Sequence, residues 1–306
     1  MAKSMKIKFK TPAKINLGLH IYGKREDGFH ELETIFQMVS LYDDVELELL
    51  SSGIKLECDT PGVPTDDTNL VCKAALLLRQ SYQVEGKGVS IRLKKKIPFG
   101  AGLGGGSGNA AGVLMGLNRL WDLNIEREKL LTLAAELGSD VPFFLTSPCA
   151  LGMGRGEQLK ALKPCAKFQV LLVFPGFPVA TSWVYQNLKL KLTKRENNIS
   201  ILRKNLSLSD ITSLGSRLYN DLEPVVIQRF PEVQVVKDEL GAWGALGVLL
   251  SGSGSTVFGI FDDPEKARVA CAGLNGTWER VIVETIESLT EFCPEDILNY
   301  PLTNEV

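Results

Sequence analysis

The 306-residue chain is long enough for two domains. Its residues are 44% hydrophobic and 23% charged, a composition that excludes disordered, collagen-like and disulfide-rich proteins. The formal net charge of -2 argues against a nucleic acid or an anionic membrane as the partner, because proteins that bind these polyanions are usually basic.

The N-terminus does not have the pattern of a secretory signal. Residues 1–6 are basic but are followed by Ile7-Lys8-Phe9-Lys10 instead of an apolar stretch, and no apolar run approaches the length of a membrane span. The cysteines form no CxxC pair, and two histidines offer little for a transition-metal site. We therefore expect a cytoplasmic protein whose cysteines are buried free thiols: Cys58, Cys72, Cys149, Cys165, Cys271 and Cys293.

The first part of the chain predicts a mixture of strands and helices. Between residues 14 and 21, apolar side chains alternate with Lys14, Asn16, Gly18 and His20, a period of two that predicts a half-buried strand with one polar face. Apolar residues recur at helical spacing over 69–82. Further strands are predicted over 31–39, 45–50 and 88–93, and further helices over 107–121 and 125–137, the last ending at Gly138.

A second unit is predicted to begin after Lys163-Pro164, so that a domain boundary falls near residue 164. Paired strands with intervening helices indicate an α+β sandwich there. The polar and charged residues 189–198 predict a surface connection. The predicted strands are 168–174, 245–250, 256–261 and 280–283, and the predicted helices are 220–228, 231–240 and one that begins at Pro264.

The glycine-rich segment 98–111, PFGAGLGGGSGNAA, is the sharpest local signal because it follows a predicted strand and opens a predicted helix. Five glycines between residues 100 and 106 remove side chains where the backbone would approach an anion, and the helix would direct free amides and its positive dipole at that anion. The segment is not a Walker A loop, since GxxxxGK[ST] is absent. It predicts phosphate binding, and the alternative is a flexible turn with tight helix packing.

Two charged residues are candidates for chemistry, and the residues alone leave each of them open. Asp140, in Ser139-Asp140-Val141-Pro142, could accept a proton from a substrate hydroxyl, or it could cap a short helix that Pro142 helps to start. Lys14 could be solvated, or from the polar face of its strand it could neutralise phosphate or lower the pKa of a nucleophile.

Three further features also have structural interpretations. The small-residue turn 251–256 could direct amides at a ligand or merely permit a tight hairpin. His30 lies where a loop meets a strand, and a lone histidine is more often structural than catalytic. Tyr185, after Thr181-Ser182-Trp183, fits helix packing.

Taken together, these segments resemble the superfamily of galactokinase, homoserine kinase, mevalonate kinase and phosphomevalonate kinase over nearly the whole chain. Its three motifs correspond to PAKINL at 12–17, the glycine-rich segment, and SGSGS at 251–255. Within the superfamily, DGFHELET and GSDVPFF bring the chain closest to the kinases that phosphorylate the 2-hydroxyl of a cytidine-diphosphate-linked methylerythritol in the non-mevalonate isoprenoid pathway.

The resemblance implies a two-domain α+β fold and a small-molecule kinase that uses ATP and Mg²⁺. The N-terminal domain, 1–164, would be similar to domain 2 of ribosomal protein S5 and would bind ATP and substrate, and the C-terminal domain, 165–306, would be ferredoxin-like. The substrate would be a small molecule that carries a cytidine diphosphate. We expect no nucleic-acid or membrane partner and a monomer or weak homodimer.

The resemblance also assigns roles to residues. Asp140 would be the general base for the substrate hydroxyl, and Lys14 would orient that hydroxyl and assist it electrostatically. His30 would hydrogen-bond the edge of cytosine while Phe29 and Tyr185 stack on its faces. Further substrate contacts would come from Asn16 and Thr181, a magnesium contact from Ser107, and nucleotide contacts from Pro98, Gly100, Ala101, Gly102, Leu103, Gly104, Gly105, Gly106, Ser107 and Gly108.

The chain departs from the superfamily pattern at Gly108, where a second serine is common, and at Ser139, where alanine is usual. The extra glycine puts in doubt any hydroxyl contact to phosphate or metal beyond Ser107. The alternatives are another kinase of the superfamily, acting on homoserine or a mevalonate derivative, and an inactive nucleotide-binding protein. The set Phe29, His30 and Tyr185 argues against the first, and the presence of both Lys14 and Asp140 argues against the second.

Overall fold

The computed structural model describes residues 5–163, 166–189 and 198–298. Within these ranges no helix combines the length and hydropathy that a membrane span requires. Most of the predicted surface connection at 189–198 and the thiol of Cys165 lie outside the described residues. The strands are β1 (Lys6–Lys24), β2 (His30–Leu50), β3 (Ile54–Cys58), β4 (Gly88–Lys94), β5 (Cys149–Met153), β6 (Gln158–Ala161), β7 (Gln169–Phe174), β8 (Tyr219–Asn220), β9 (Gly247–Leu250), β10 (Val257–Phe261) and β11 (Glu279–Glu284).

Five of the helices begin within two residues of a predicted start: those at 70, 105, 127, 232 and 264. Asn69 caps the first helix by accepting a hydrogen bond from the backbone N–H of Val71, as its residue type favours. The helices are α1 (Leu70–Ser81), α2 (Gly105–Leu120), α3 (Arg127–Leu137), α4 (Phe143–Thr146), α5 (Thr181–Asn187), α6 (Asn198–Leu208), α7 (Ile211–Gly215), α8 (Glu223–Arg229), α9 (Glu232–Ala242), α10 (Pro264–Gly273) and α11 (Glu295–Leu298).

A seven-stranded sheet forms the first layer of the molecule. Its strand order is β3-β4-β2-β1-β8, and β5 and β6 extend it from β2. The long strands β1 and β2 pair antiparallel, with register shifts after Pro12 and after Asn16. Helices α1, α2 and α3 pack on this sheet around a core that includes Phe9, Leu47 and Leu117.

A four-stranded sheet, in the order β11-β7-β10-β9 with antiparallel neighbours, forms the second layer. Alternate residues of β7 serve two cores. Val170 and Leu172 face a core that they share with Ile15 and Leu17 of β1, while Leu171 and neighbouring residues pack under α9 and α10. Two sheets with segregated helices confirm the predicted two-domain α+β kinase fold.

The two halves are not cleanly separated along the chain. The pair Tyr219–Asn220 forms β8, which lies parallel to β1 beside Gly18 and Leu19 in the first sheet. The helix predicted over 220–228 therefore begins three residues late, at Glu223, because Asn220 is engaged in this pairing. The division into 1–164 and 165–306 stays a prediction.

Two other predictions about the strands were wrong in detail. Segments 31–39 and 45–50 form one continuous strand, β2, because β1 pairs with both of them. The strand that contains Lys14 and Asn16 is not half-buried: these side chains are 4% and 1% exposed, because two glycine-rich loops pack over the polar face.

Within the described ranges, the cysteines at 72, 149 and 293 are buried as predicted, but Cys58 and Cys271 are half-buried.

Candidate active site

The glycine-rich loop lies between β4 and α2, and its backbone has a conformation that glycine favours. Gly100, Gly102 and Gly104 have φ angles of 69°, 79° and 68°, in the left-handed region. Gly104 is the N-cap of α2 and contributes no side-chain hydrogen bond to it. The N–H groups of the first turn of α2 therefore have no acceptor within the helix and are free for an anion, and the helix dipole favours that anion.

The packing alternative for the glycine-rich segment holds at some glycines, while phosphate binding stays a prediction. A Cβ on Gly102 would lie 2.1 Å from the carbonyl oxygen of Ser251, and one on Gly104 would lie 2.9 Å from Cγ of Lys14. Those two positions need glycine for close packing. At Gly106 the nearest atom to a Cβ would be Cδ1 of Leu70, 3.8 Å away, so this position is open toward the cavity.

Gly108 differs from the other predicted nucleotide contacts. It does not line the cavity but is buried in α2, where its N–H donates to the carbonyl of Gly104 at 2.8 Å. A Cβ there would lie 3.0 Å from the carbonyl oxygen of Pro12. The prediction that Gly108 contacts the nucleotide was wrong, because the residue serves the packing of α2 on β1.

Lys14 projects from β1 toward Asp140, which follows α3. The Nζ atom of Lys14 donates to Oδ1 of Asn16 at 2.7 Å and lies 3.5 Å from Oδ2 of Asp140. The Lys14 side chain is 5% exposed and that of Asp140 is 36% exposed. The pair is thus a desolvated ammonium beside a carboxylate that reaches open space. Since α4 begins with Pro142 as N-cap and has no side-chain cap, Asp140 does not cap it.

Asn16 is held in place by a residue that the sequence analysis missed. The Nδ2 atom of Asn16 donates to Oγ1 of Thr34 at 2.8 Å, and the hydroxyl of Thr34 donates to the carbonyl of Gly18 at 2.7 Å. These bonds turn the amide oxygen of Asn16 toward Lys14. The available signal was the position of Thr34 in DGFHELET, but its partner depends on the β1–β2 register.

One cavity brings together most of the predicted site residues. Its lining includes the substrate candidates Asn16, Thr181 and Tyr185 and the pair Lys14 and Asp140. The loop contributes Pro98, Gly100, Ala101, Gly102, Leu103, Gly104, Gly105, Gly106 and Ser107.

A neighbouring cavity of about 540 Å³ continues from Asp140 and Ser107 to the predicted cytosine-binding residues. Its size is within the range of small-molecule sites. His30 and Tyr185 face each other with ring centroids 5.0 Å apart. Phe29 is 50% exposed, and the guanidinium of Arg155 lies 4.5 Å over its ring. Arg155 lines both cavities and was also missed from the sequence, where it is flanked only by glycines.

Two titratable groups in the second cavity have shifted pKa values. Burial lowers the pKa of His30, and the positive charge of Lys24 lowers it further. The imidazole is therefore neutral at neutral pH and can accept a hydrogen bond. Burial raises the pKa of the Tyr185 hydroxyl, and the negative charge of Asp140 adds to this effect.

The serine-rich loop 251–256 packs against the glycine-rich loop, so its hydroxyl groups are largely engaged. The hydroxyl of Ser251 donates to the carbonyl of Gly102 at 3.0 Å, and the N–H of Thr256 donates to the carbonyl of Ala101 at 3.2 Å. The hydroxyl of Ser253 lies 2.8 Å from that of Thr181. This loop therefore holds the glycine-rich loop in place, and it also forms the turn between β9 and β10.

A metal ion would find few protein ligands here. Within residues 5–163, 166–189 and 198–298, no cluster of three or more His, Cys, Asp or Glu side chains could hold one. Mg²⁺ commonly binds through one or two carboxylates, several waters and the phosphates of a nucleotide, which the present residues allow.

Comparisons with known proteins identify the family of the chain. The family described as GHMP kinases N terminal domain matches residues 69–147, and GHMP kinases C terminal matches 202–280. A relative from Geobacter sp. (strain M21), named 4-diphosphocytidyl-2-C-methyl-D-erythritol kinase, is 46% identical, and the alignment covers 92% of this chain and 99% of the relative.

Solved structures show the same fold. A crystal structure of 4-(cytidine 5'-diphospho)-2C-methyl-D-erythritol kinase matches with a TM-score of 0.79 and 36% identity, covering 91% of this chain and 99% of its own. Homoserine kinase from Cytophaga hutchinsonii matches with a TM-score of 0.74 over 94% of this chain and 98% of its own. At 21% identity the second match supports the fold alone.

Proposed function

Because the chain belongs to the 4-diphosphocytidyl-2-C-methyl-D-erythritol kinase family of the GHMP kinases, we propose that Asp140 and Lys14 are its catalytic residues and the glycine-rich loop its ATP site. The chain is an ATP-dependent kinase that phosphorylates 4-diphosphocytidyl-2-C-methyl-D-erythritol in isoprenoid biosynthesis. The observation that carries the residue assignments is the Lys14–Asp140 pair, which lies in one cavity with the free amides of α2.

The reaction needs a base close to the substrate hydroxyl, and it needs the hydroxyl oxygen in line with the phosphoryl group that is transferred. Asp140 takes the proton of the substrate's 2-hydroxyl, the hydroxyl oxygen bonds to the γ-phosphorus of ATP, and the bond from that phosphorus to the bridging oxygen breaks to release ADP. Lys14, held by Asn16, directs its ammonium at the same oxygen and offsets the negative charge of the transferred group. Its burial strengthens this effect, because few water molecules screen the charge.

The phosphates of ATP lie at the first turn of α2, where Gly104, Gly105, Gly106 and Ser107 supply amides without intervening side chains. The hydroxyl of Ser107 would be the side-chain group that holds Mg²⁺, and the bound ion would offset phosphate charge.

The cytidine end of the substrate occupies the second cavity. Neutral His30 accepts a hydrogen bond from the cytosine edge, while the aromatic rings of Phe29 and Tyr185 stack on the base. Thr181 and Asn16 contact the sugar alcohol between the two ends. The protein acts in the cytoplasm, as a monomer or weak homodimer, without nucleic-acid or membrane partners.

A coupled assay tests the function directly. Purified protein with ATP and Mg²⁺ is expected to release ADP when 4-diphosphocytidyl-2-C-methyl-D-erythritol is added, and not when homoserine or mevalonate is added. Homoserine or mevalonate turnover at a comparable kcat/KM would favour the alternative kinases. ATP binding without turnover of any of the three substrates would favour the inactive nucleotide-binding protein.

The lowered pKa of His30 gives a second prediction. In Lys24→Gln the repulsion by the Lys24 ammonium is lost, so the pKa of His30 rises and its protonated form appears at higher pH. The measurement is an NMR titration of the imidazole protons. The chain contains two histidines, so His20 serves as the internal reference. The KM for the cytidylyl substrate should begin to rise at correspondingly higher pH.

Lys129→Gln, an exposed lysine on α3, is the matched control and should leave the titration of His30 unchanged. A His30 midpoint that stays in place, or moves down, in Lys24→Gln would show that Lys24 does not act on it.

A further inference from the structure

A buried carboxylate, Asp43, lies behind the glycine-rich loop and plays no part in the mechanism above. Its side chain is 0% exposed. Its Oδ1 accepts from the backbone N–H groups of Lys96 at 2.7 Å and Ile97 at 2.9 Å. Its Oδ2 accepts from Nδ2 of Asn109 at 3.0 Å and forms an ion pair with Nζ of Lys95. The Asp43 carboxylate thus accepts hydrogen bonds from four donors.

These bonds join separate parts of the fold at the start of the loop. Asp43 belongs to β2, Lys96 and Ile97 belong to the segment between β4 and the loop, and Asn109 belongs to α2. Asn109 also donates to Oγ1 of Thr11 on β1 at 2.7 Å. The position of the loop relative to its helix therefore depends on one buried negative charge.

The cation that Asp43 holds lies where the nucleotide is expected. Lys95 is 6% exposed and lines the cavity of the glycine-rich loop. A Cβ on Gly105, the first residue of α2, would lie 3.2 Å from its Nζ atom. This atom donates to Oδ1 of Asn109 at 2.9 Å and to Asp43. An ammonium has three N–H donors, and among the described residues two acceptors are present, so one donor remains for a ligand.

We propose that Asp43 is a positioning residue for ATP, and that it holds the Lys95 ammonium at the first turn of α2 so that the third donor reaches a phosphate oxygen. This inference rests on the proposed function, in which the loop binds ATP. A lysine is a compact point charge that suits phosphate. A buried ion pair adds little net stability over an apolar pair of the same volume, so its main consequence is the place in which it holds the ammonium.

ATP affinity without substrate tests the inference, because it does not require turnover. Asp43→Asn keeps the shape of the side chain but turns an amide N–H toward Lys95 and Asn109, and repels the ammonium. By titration calorimetry with ATP and Mg²⁺, the Kd is expected to rise about tenfold, as for the loss of one charge-assisted hydrogen bond. Lys95→Met should give a similar rise. The KM for the cytidylyl substrate should change little in either variant.

A double-mutant cycle separates positioning from general stability. In the Lys95→Met background, Asp43→Asn is expected to change the Kd for ATP less than about twofold, because the group that it positions is gone. Asp44→Asn is the matched control: Asp44 is the next residue, is 39% exposed and pairs with Nζ of Lys96 at 3.1 Å on the surface. It should leave ATP affinity unchanged.

Several results would overturn the proposal. The first is a Lys95→Met variant that binds ATP like the wild type. The second is an effect of Asp43→Asn on the Kd for ATP that is equal in the wild-type and Lys95→Met backgrounds. The third is a folded Asp43→Asn protein with a lower Tm but normal ATP affinity. If Asp43→Asn alone does not fold, the double variant, which has no unpaired charge at this position, takes its place. Its Kd for ATP is compared with that of Lys95→Met. A further loss of ATP affinity in the double variant contradicts the proposal. A wild-type chain that binds no ATP would instead refute the proposed function.

Discussion

Asp140→Asn is expected to lower kcat by about three orders of magnitude, within the range that general bases contribute. Asparagine has nearly the same shape but cannot take the proton of the 2-hydroxyl. The KM values for ATP and the cytidylyl substrate should stay within a few-fold of the wild type, because binding depends on other groups. Stopped-flow or coupled detection of ADP gives kcat, and circular dichroism gives Tm.

The structure also predicts that this variant folds normally. Asp140 is 36% exposed and caps no helix, so the substitution removes no cap. Glu128→Gln, an exposed carboxylate change in the first turn of the preceding helix α3, is the control for a surface charge and should leave kcat unchanged. Near-normal turnover in Asp140→Asn would remove the residue from the chemistry.

Lys14→Met should lower kcat by about two to three orders of magnitude, the size found when one preorganised donor to a developing charge is removed. Methionine has a similar length and fills the space between Gly104 and Phe36, so packing is retained. The substitution removes the donor to the buried Oδ1 of Asn16, so a modest fall in Tm is expected while the enzyme stays folded. Loss of kcat in a folded enzyme is the expected combination.

Lys10→Met, on the same strand and exposed, is the matched control. Its ammonium lies 5.5 Å over the ring of Tyr42, away from the site, so kcat should stay near the wild-type value. A Lys14→Met enzyme with unchanged kcat, or one that loses activity only by unfolding, would contradict the catalytic assignment.

The local motifs predicted the loop and the helix beside the cavity because their geometry depends on neighbouring residues. The glycine pattern of 98–111 implies a loop followed by a helix, and the structure has this arrangement. The helices α1 and α2 follow from apolar spacing. In each case the residues that determine the local structure are close to one another in the sequence.

What the sequence analysis missed depends on distant pairings. The roles of Asp43, Thr34 and Arg155 appear only when β1, β2 and the loop after β5 come together. The buried polar face of β1 was missed for the same reason, because the residues that cover it come from loops far along the chain. Gly108 was misassigned because the sequence alone does not distinguish a glycine required for helix packing from a glycine that contacts a phosphate.

The contact between Gly102 and Ser251 has a consequence for how the protein acquires activity during synthesis. The two residues are 149 positions apart, yet the hydroxyl of one bonds to the carbonyl of the other. The β1–β2 pair and the helix α2 depend on contacts between segments that are close in the chain, but such distant pairings form late. A nascent chain would therefore have the residues of the nucleotide site well before it has the shape of that site, so ATP turnover would begin only when the last strands have docked.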